Sequence, residues 1–241
     1  AMLDTNAGST SLASGENIAI GYKALGGTWA DAESNYNVGI GNAVMDAAMD
    51  GALYNVALGH GALSALTQGD YNIAIGGACG EALTTGTQNV LIGTSAGDGL
   101  TVETNNVAIG HDAMSHANPQ ADACVAIGAV SMGGDLTSGA DGTVAIGYYA
   151  GNAITSGIGN VAIGYQALDA EDDGDYNTAV GYQALTAQTG TTGDVGNTAV
   201  GYGAGAAITL GRRSTIVGFN ALKQEDVGNS TTAIGDHALY N

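Results

Sequence analysis

Apolar residues in this chain rarely run on. They come as two aliphatics flanking one small residue, opened by an asparagine and closed by a glycine, as in NVAIG at 160–164. Two variable residues and an Ala follow, usually with Leu or Gly behind: NVAIGYQAL at 160–168, NTAVGYQAL at 177–185 and NTAVGYGAG at 197–205. The closing glycine recurs at Gly21, Gly41, Gly59, Gly76, Gly93, Gly110, Gly128, Gly147, Gly164, Gly181, Gly201, Gly218 and Gly235, in steps of 17 to 20 residues. Alternation within VAI has the period of a strand, and its Val and Ile favour extended backbone. No window offers ten residues of helical periodicity without a glycine. The glycine permits a corner. YQAL then reads as a second short strand, and a loop of roughly eight residues rich in Thr, Gly, Asp and Asn closes the turn.

A unit this short buries its apolar face only against the next copy. The expected fold is therefore all-β: a β-solenoid, or parallel β-roll, of about 13 coils with a 17–20-residue period. Residues 1–16 form a lead-in and 17–241 a single repeat domain. At the strand spacing of about 4.8 Å, the coils make a rod on the order of 60 Å long. Asparagines open most copies, at Asn17, Asn37, Asn55, Asn72, Asn89, Asn106, Asn160, Asn177 and Asn197. Stacked at one corner, their amides are expected to hydrogen-bond up the rod as a structural ladder.

Alternation leaves one choice open: which member of VAI faces the interior. With Val161 and Ile163 placed inward, Ala162 faces out. Its equivalents are Ala19, Ala57, Ala74, Ala108, Ala126, Ala145, Ala179, Ala199 and Ala233, completed by Gly39, Leu91 and Ile216. A water-facing strand surface alternates apolar with polar, so an apolar stripe calls for cover. The economical cover is a second copy of the chain, and a homotrimer around one axis satisfies three stripes at once. Aromatic residues just after the glycine (Tyr22, Tyr148, Tyr165, Tyr182, Tyr202, Phe219) are expected to stack at the edge of that seam.

Composition narrows the functions. With 23 acidic and 4 basic residues the net charge is −19, so Lys23, Arg212, Arg213 and Lys223 supply no basic patch for nucleic acid or anionic membranes. No apolar run is long enough to span a bilayer. One Phe, one Trp and 41 Gly suit rows of aliphatics better than a globular core. The acidic cluster DAEDDGD at 169–175 is chemistry that calcium accepts, though its spacing fits neither an EF-hand nor a glycine-rich calcium repeat. No other cofactor is implied. Cys79 stands in the Ala slot and Cys124 in an Asn slot. Three coils apart, about 14 Å, they are too distant for a disulfide and read as small buried fillers.

Motifs for catalysis are weak. GTSAG at 93–97 has the form of a nucleophile elbow, but Gly93 and Ala96 are simply the repeat's own residues. A left-handed β-helix acyltransferase would use a histidine, and His60, His111, His116 and His237 are the candidates. The polar, variable loop third of each copy and the absence of a single break in the repeat argue against it. Ice binding needs a flat Thr-rich face, and the threonines read as scattered through loops. Asn229-Ser230-Thr231 is a glycosylation pattern.

Copies such as NVAIGYQAL resemble the head repeats of trimeric autotransporter adhesins and are similar to repeats in phage and prophage tail fibres. The resemblance covers nearly the whole chain. It implies a left-handed parallel β-roll, a homotrimer, and display on a cell surface or virion. The expected function is a non-enzymatic structural or adhesive fibre segment, extracellular, binding itself and a glycan or protein receptor. An extracellular filament subunit is the other structural alternative. Receptor specificity would sit in the irregular loops, of which GGTWADAESNY with Trp29 and HANPQADAC with Pro119 are the most distinctive.

Overall fold

A computed structural model describes residues 14–27, 32–116, 121–134, 140–189, 193–224 and 229–240. Trp29, Pro119 and most of the lead-in therefore lie outside the described residues. The chain divides into two compact units, Ala1–Pro119 and Gln120–Asn241. Each is a parallel β-solenoid, and among the described residues there is no helix.

In the first unit, three-residue strands lie side by side in chain order: β1 (Ile18–Ile20), β2 (Val38–Ile40), β3 (Val56–Leu58), β4 (Ile73–Ile75), β5 (Val90–Ile92) and β6 (Val107–Ile109). The second unit continues the pattern with β7 (Val125–Ile127), β8 (Val144–Ile146) and β9 (Val161–Ile163). Its stack goes on through β11 (Thr178–Val180), β13 (Thr198–Val200), β14 (Thr215–Val217) and β15 (Thr232–Ile234). Two-residue strands β10 (Gly174–Asp175) and β12 (Gly193–Asp194) pair separately. Register always matches like with like, so Ala179 lies between Ala162 and Ala199 although the steps are 17 and 20 residues.

The corner after each strand explains the invariant glycine. All thirteen repeat glycines have φ between +128° and +147°, a conformation that resists a side chain. Space is also missing. A Cβ on Gly59 would lie 2.1 Å from the carbonyl oxygen of Gly76, and one on Gly164 would lie 2.3 Å from that of Gly181.

Beyond the glycine the structure departs from the expected second strand. YQAL and its equivalents form a turn whose backbone alternates in hand: Gln166 and Leu168 have φ of 50° and 54°, as do their counterparts Lys23 and Leu25 within a few degrees. A left-handed non-glycine residue costs about 1–2 kcal/mol. The flip is offset because it aims peptide groups along the stack. Gly61 N–H reaches back to Asn42 O at 3.0 Å, and Met45 N–H reaches forward to Ala62 O at 3.1 Å. With Val38 N–H to Asn55 O and Gly59 N–H to Ile40 O, a coil is laced to its neighbours at several points around its circumference.

Replacing Gly164 with Ala is expected to destabilise the second unit by about 3 kcal/mol or more, because strain at φ and backbone overlap add. Chemical denaturation checks this; a loss below about 1 kcal/mol would mean the corner can relax.

Candidate functional site

The interior is narrow, and that decides the facing of VAI. Ala57, Ala74, Ala108, Ala126, Ala145, Ala162, Ala179 and Ala199 are fully buried, with Ala233 at 1% and Ala19 at 8% exposure. They point inward, against the expectation. Val and Ile on either side point outward, with Ile18 52%, Ile20 55% and Ile234 66% exposed. The alanine stripe is core and not an outer surface. The reason is room: the opposite wall sends in Ala and Leu from the turn, for example Ala62 and Leu63 or Ala167 and Leu168, all fully buried. Only a small residue fits across from them.

Exceptions demonstrate the fit. Where Leu91 replaces the inner Ala, the Leu slot of the turn is emptied to Gly80 and Gly97. A Cβ on either would come within 2.7 Å of a Leu91 methyl. Where Ile216 replaces it, Gly205 stands opposite, its would-be Cβ 2.9 Å from Ile216 Cδ1. Conversely Gly39 leaves space filled by Met45, Val44 and Leu25.

Parity carries the same message. Asn, the inner Ala and Gly alternate with the two aliphatics, so a buried Asn implies a buried Ala. Asn37, Asn55, Asn72, Asn89, Asn106, Asn160, Asn177 and Asn197 are fully buried. In the first unit each Oδ1 accepts the backbone N–H of the next coil's Asn: Asn17 from Asn37 at 2.8 Å, Asn37 from Asn55 at 2.9 Å, Asn55 from Asn72 at 2.9 Å, Asn72 from Asn89 at 3.0 Å and Asn89 from Asn106 at 3.0 Å. Nδ2 of Asn55 also donates to Asn37 Oδ1 and to Gly69 O. The second unit repeats this from Asn160 through Asn177 and Asn197 to Ser214 N–H. Cys124 and Thr143 hold Asn slots there, and their side chains donate to Ala140 O and Gly157 O instead.

Outside, two columns of side chains run along each unit. One holds Ile18, Val38, Val56, Ile73, Val90 and Val107 in the first unit, and Val125, Val144, Val161, Thr178, Thr198, Thr215 and Thr232 in the second. The other is aliphatic throughout, from Ile20 to Ile109 and from Ile127 to Ile234. Neither column carries a charge. Four threonines thus share an outward column rather than scattering through loops, while Val or Ile fills it elsewhere.

Aromatic ladders edge this face. In the second unit, rings after the glycine stack: Tyr148–Tyr165 at 5.7 Å, Tyr165–Tyr182 at 4.9 Å, Tyr182–Tyr202 at 5.1 Å and Tyr202–Phe219 at 5.1 Å between centroids. Tyr22 instead has Lys23 Nζ 5.8 Å from its ring centre. A second ladder, which the sequence reading missed, joins Tyr36, Tyr54 and Tyr71 at 4.7 and 5.0 Å in the first unit. Its signal was available: Tyr precedes Asn in three consecutive copies.

The residues considered for chemistry do not converge. His60, His111, His116 and His237 are exposed; His111 and His237 contact the adjacent Asp112 and Asp236. Ser95 sits in a turn that leads into no helix. Cys79 and Cys124 are fully buried, and burial pushes their thiols up to about 12 and about 11. In DAEDDGD three of the carboxylates accept hydrogen bonds from the protein itself. Asp172 accepts from the Thr155 hydroxyl and Asp175 from Ile158 N–H. Glu171 turns inward, where Leu66, Leu83 and Leu100 stand in other coils, and accepts from Asp172 and Gly174 N–H. No group of three metal-binding side chains forms among the described residues. No protein-family model, curated protein or solved structure matches the chain.

Two substitutions test these assignments. Asn55→Ala strands Asn72 N–H and Gly69 O and removes the second of two donors to Asn37 Oδ1, and is expected to cost about 2–4 kcal/mol in denaturation. Burial raises the Glu171 carboxyl above its ordinary range, so its ionised form opposes folding. That contribution to stability is fully present below the unfolded carboxylate range and is lost as pH rises through the folded pKa. The stability of Glu171→Gln relative to the parent should therefore climb as pH rises from acid to neutral; a pH-independent difference would contradict a buried charge.

Proposed function

We propose that this chain is a structural segment of a fibre, a β-solenoid that assembles with copies of itself through the outward Val/Ile face. The observation that supports it best is that face: regular and uncharged in each unit, aliphatic throughout in the first and broken only by four threonines in one column of the second, on a chain of net charge −19. Charges are kept off the two outward columns, which lets copies approach face to face while the rest repels non-specific contact. In the first unit alone the two columns present twelve aliphatic side chains, about half of the 20–30 residues a side in a standard interface. In-register backbone hydrogen bonding stiffens each unit, and the loops, free to change length, are where a protein or glycan receptor on a host surface would be contacted. A homotrimer displayed on a virion or cell surface, without catalytic activity, is the assembly that the resemblance to adhesin heads and tail fibres favours.

Light scattering tests this directly. The parent is expected at a whole multiple of 23.6 kDa, three for a trimer. Ile163→Asp, on the outer face, should lower the mass to one chain with the β signal in circular dichroism intact. Ala162→Asp, one residue away but inside, should unfold the second unit instead. A parent that is monodisperse at one chain mass would overturn the assembly.

A further inference from the structure

Oxidisable side chains are sorted to opposite sides of the wall. Among the described residues sulfur is sealed in: Met45, Met49, Met114, Met132, Cys79 and Cys124 are all fully buried. Phenols are on the outside, with Tyr165 40%, Tyr182 43% and Tyr202 46% exposed. An oxidant in solution therefore meets tyrosine first among the described residues. Those tyrosines are not isolated. Tyr165, Tyr182 and Tyr202 are parallel to within 8° and about one coil spacing apart, as are Tyr36, Tyr54 and Tyr71 to within 7°. In-register stacking translates each ring onto the next, so equivalent ring carbons face one another along the ladder.

We propose that the tyrosine ladders are sites of oxidative tyrosine coupling, in which a peroxidase-class one-electron oxidant staples neighbouring coils together through dityrosine. Each of two adjacent tyrosines gives up one electron and its phenolic proton, leaving radicals with spin on the carbons ortho to oxygen. Those carbons join in a new C–C bond. Each ring then moves its ortho hydrogen to oxygen and regains the phenol. The net loss is two electrons and two protons, taken up by one hydrogen peroxide to give two waters. Phe219 carries no phenol, so it ends the reactive run at Tyr202. The links close loops between consecutive coils within one chain and do not depend on how copies assemble.

The test is brief treatment of dilute, folded protein with a haem peroxidase and hydrogen peroxide, followed by fluorescence, denaturing electrophoresis and peptide mapping. Dityrosine should appear without an increase in chain mass on the gel. Linked peptides should each be two hydrogens lighter and join Tyr165 to Tyr182 or Tyr182 to Tyr202, with Tyr36–Tyr54–Tyr71 links beside them. Tyr182→Phe keeps a ring in the stack but no phenol. It should abolish both links through position 182 while leaving the first unit's links intact. Tyr176→Phe, exposed but outside both ladders, should leave the yield unchanged. Three results would each overturn the proposal: no dityrosine in protein that circular dichroism shows to be folded, links only between chains, or an undiminished second-unit yield in Tyr182→Phe.

Discussion

Backbone touches backbone at the corner glycines from Gly21 to Gly93 in the first unit and from Gly128 to Gly218 in the second, and the rest of each unit follows from that contact. The repeat glycines bring successive coils so close that a single added carbon would overlap the next carbonyl. This closeness sets the vertical pitch at which strand ladders, asparagine ladders and ring stacks can all form together. It also turns the chain through the left-handed region, which sends it back along a second wall only a few ångströms away. A narrow interior is the direct result, and it dictates a small residue on one wall opposite a larger one on the other.

Repeat length, parallel stacking, the strand triplets and the asparagine column were legible because each depends on local pattern. The facing of the strands was not read correctly, although the information was present. Asn, Ala and Gly share one parity, and Leu91 is matched by Gly80 and Gly97 two short steps away. Weighing side-chain size alone favours burying Val and Ile; weighing the width of the coil reverses the choice. The turn after the glycine was hidden for a different reason. Leucine and glutamine in left-handed backbone, as at Gln166 and Leu168, have no propensity signature. They are held there by hydrogen bonds to neighbouring coils, which no single copy reveals. Departures from the pattern, such as Glu171 among leucines and Cys124 and Thr143 among asparagines, were visible as substitutions; Cys124 already read as buried, whereas the inward direction of Glu171 and Thr143 became clear only with the fold.

Polar groups inside this wall are arranged by the same economy. Asn37, Asn55, Asn72, Asn89, Asn160, Asn177 and Asn197 each serve a backbone N–H in the next coil and a carbonyl beside them, so the polar column costs little to bury. Hydroxyl and thiol at Thr143 and Cys124 reproduce the donor half of that arrangement. Outside, charge is absent from the strand columns and concentrated in loops. The stacked three-residue strands thus carry shape and uncharged surface, the turns after the glycines carry lacing, and the segments between coils carry most of the charge and variation.

The pairing of Leu91 with Gly80 and Gly97 bears on inheritance. Repeat arrays grow and shrink by unequal exchange between near-identical copies, and here most junctions are interchangeable because like packs on like. Across residues 80–97 they are not. A crossover that separated the leucine from either glycine would drive a leucine into a leucine on one side and leave a void on the other. The two coils from Gly76 to Gly110 therefore travel as one block, a point in the array where length cannot change one rung at a time.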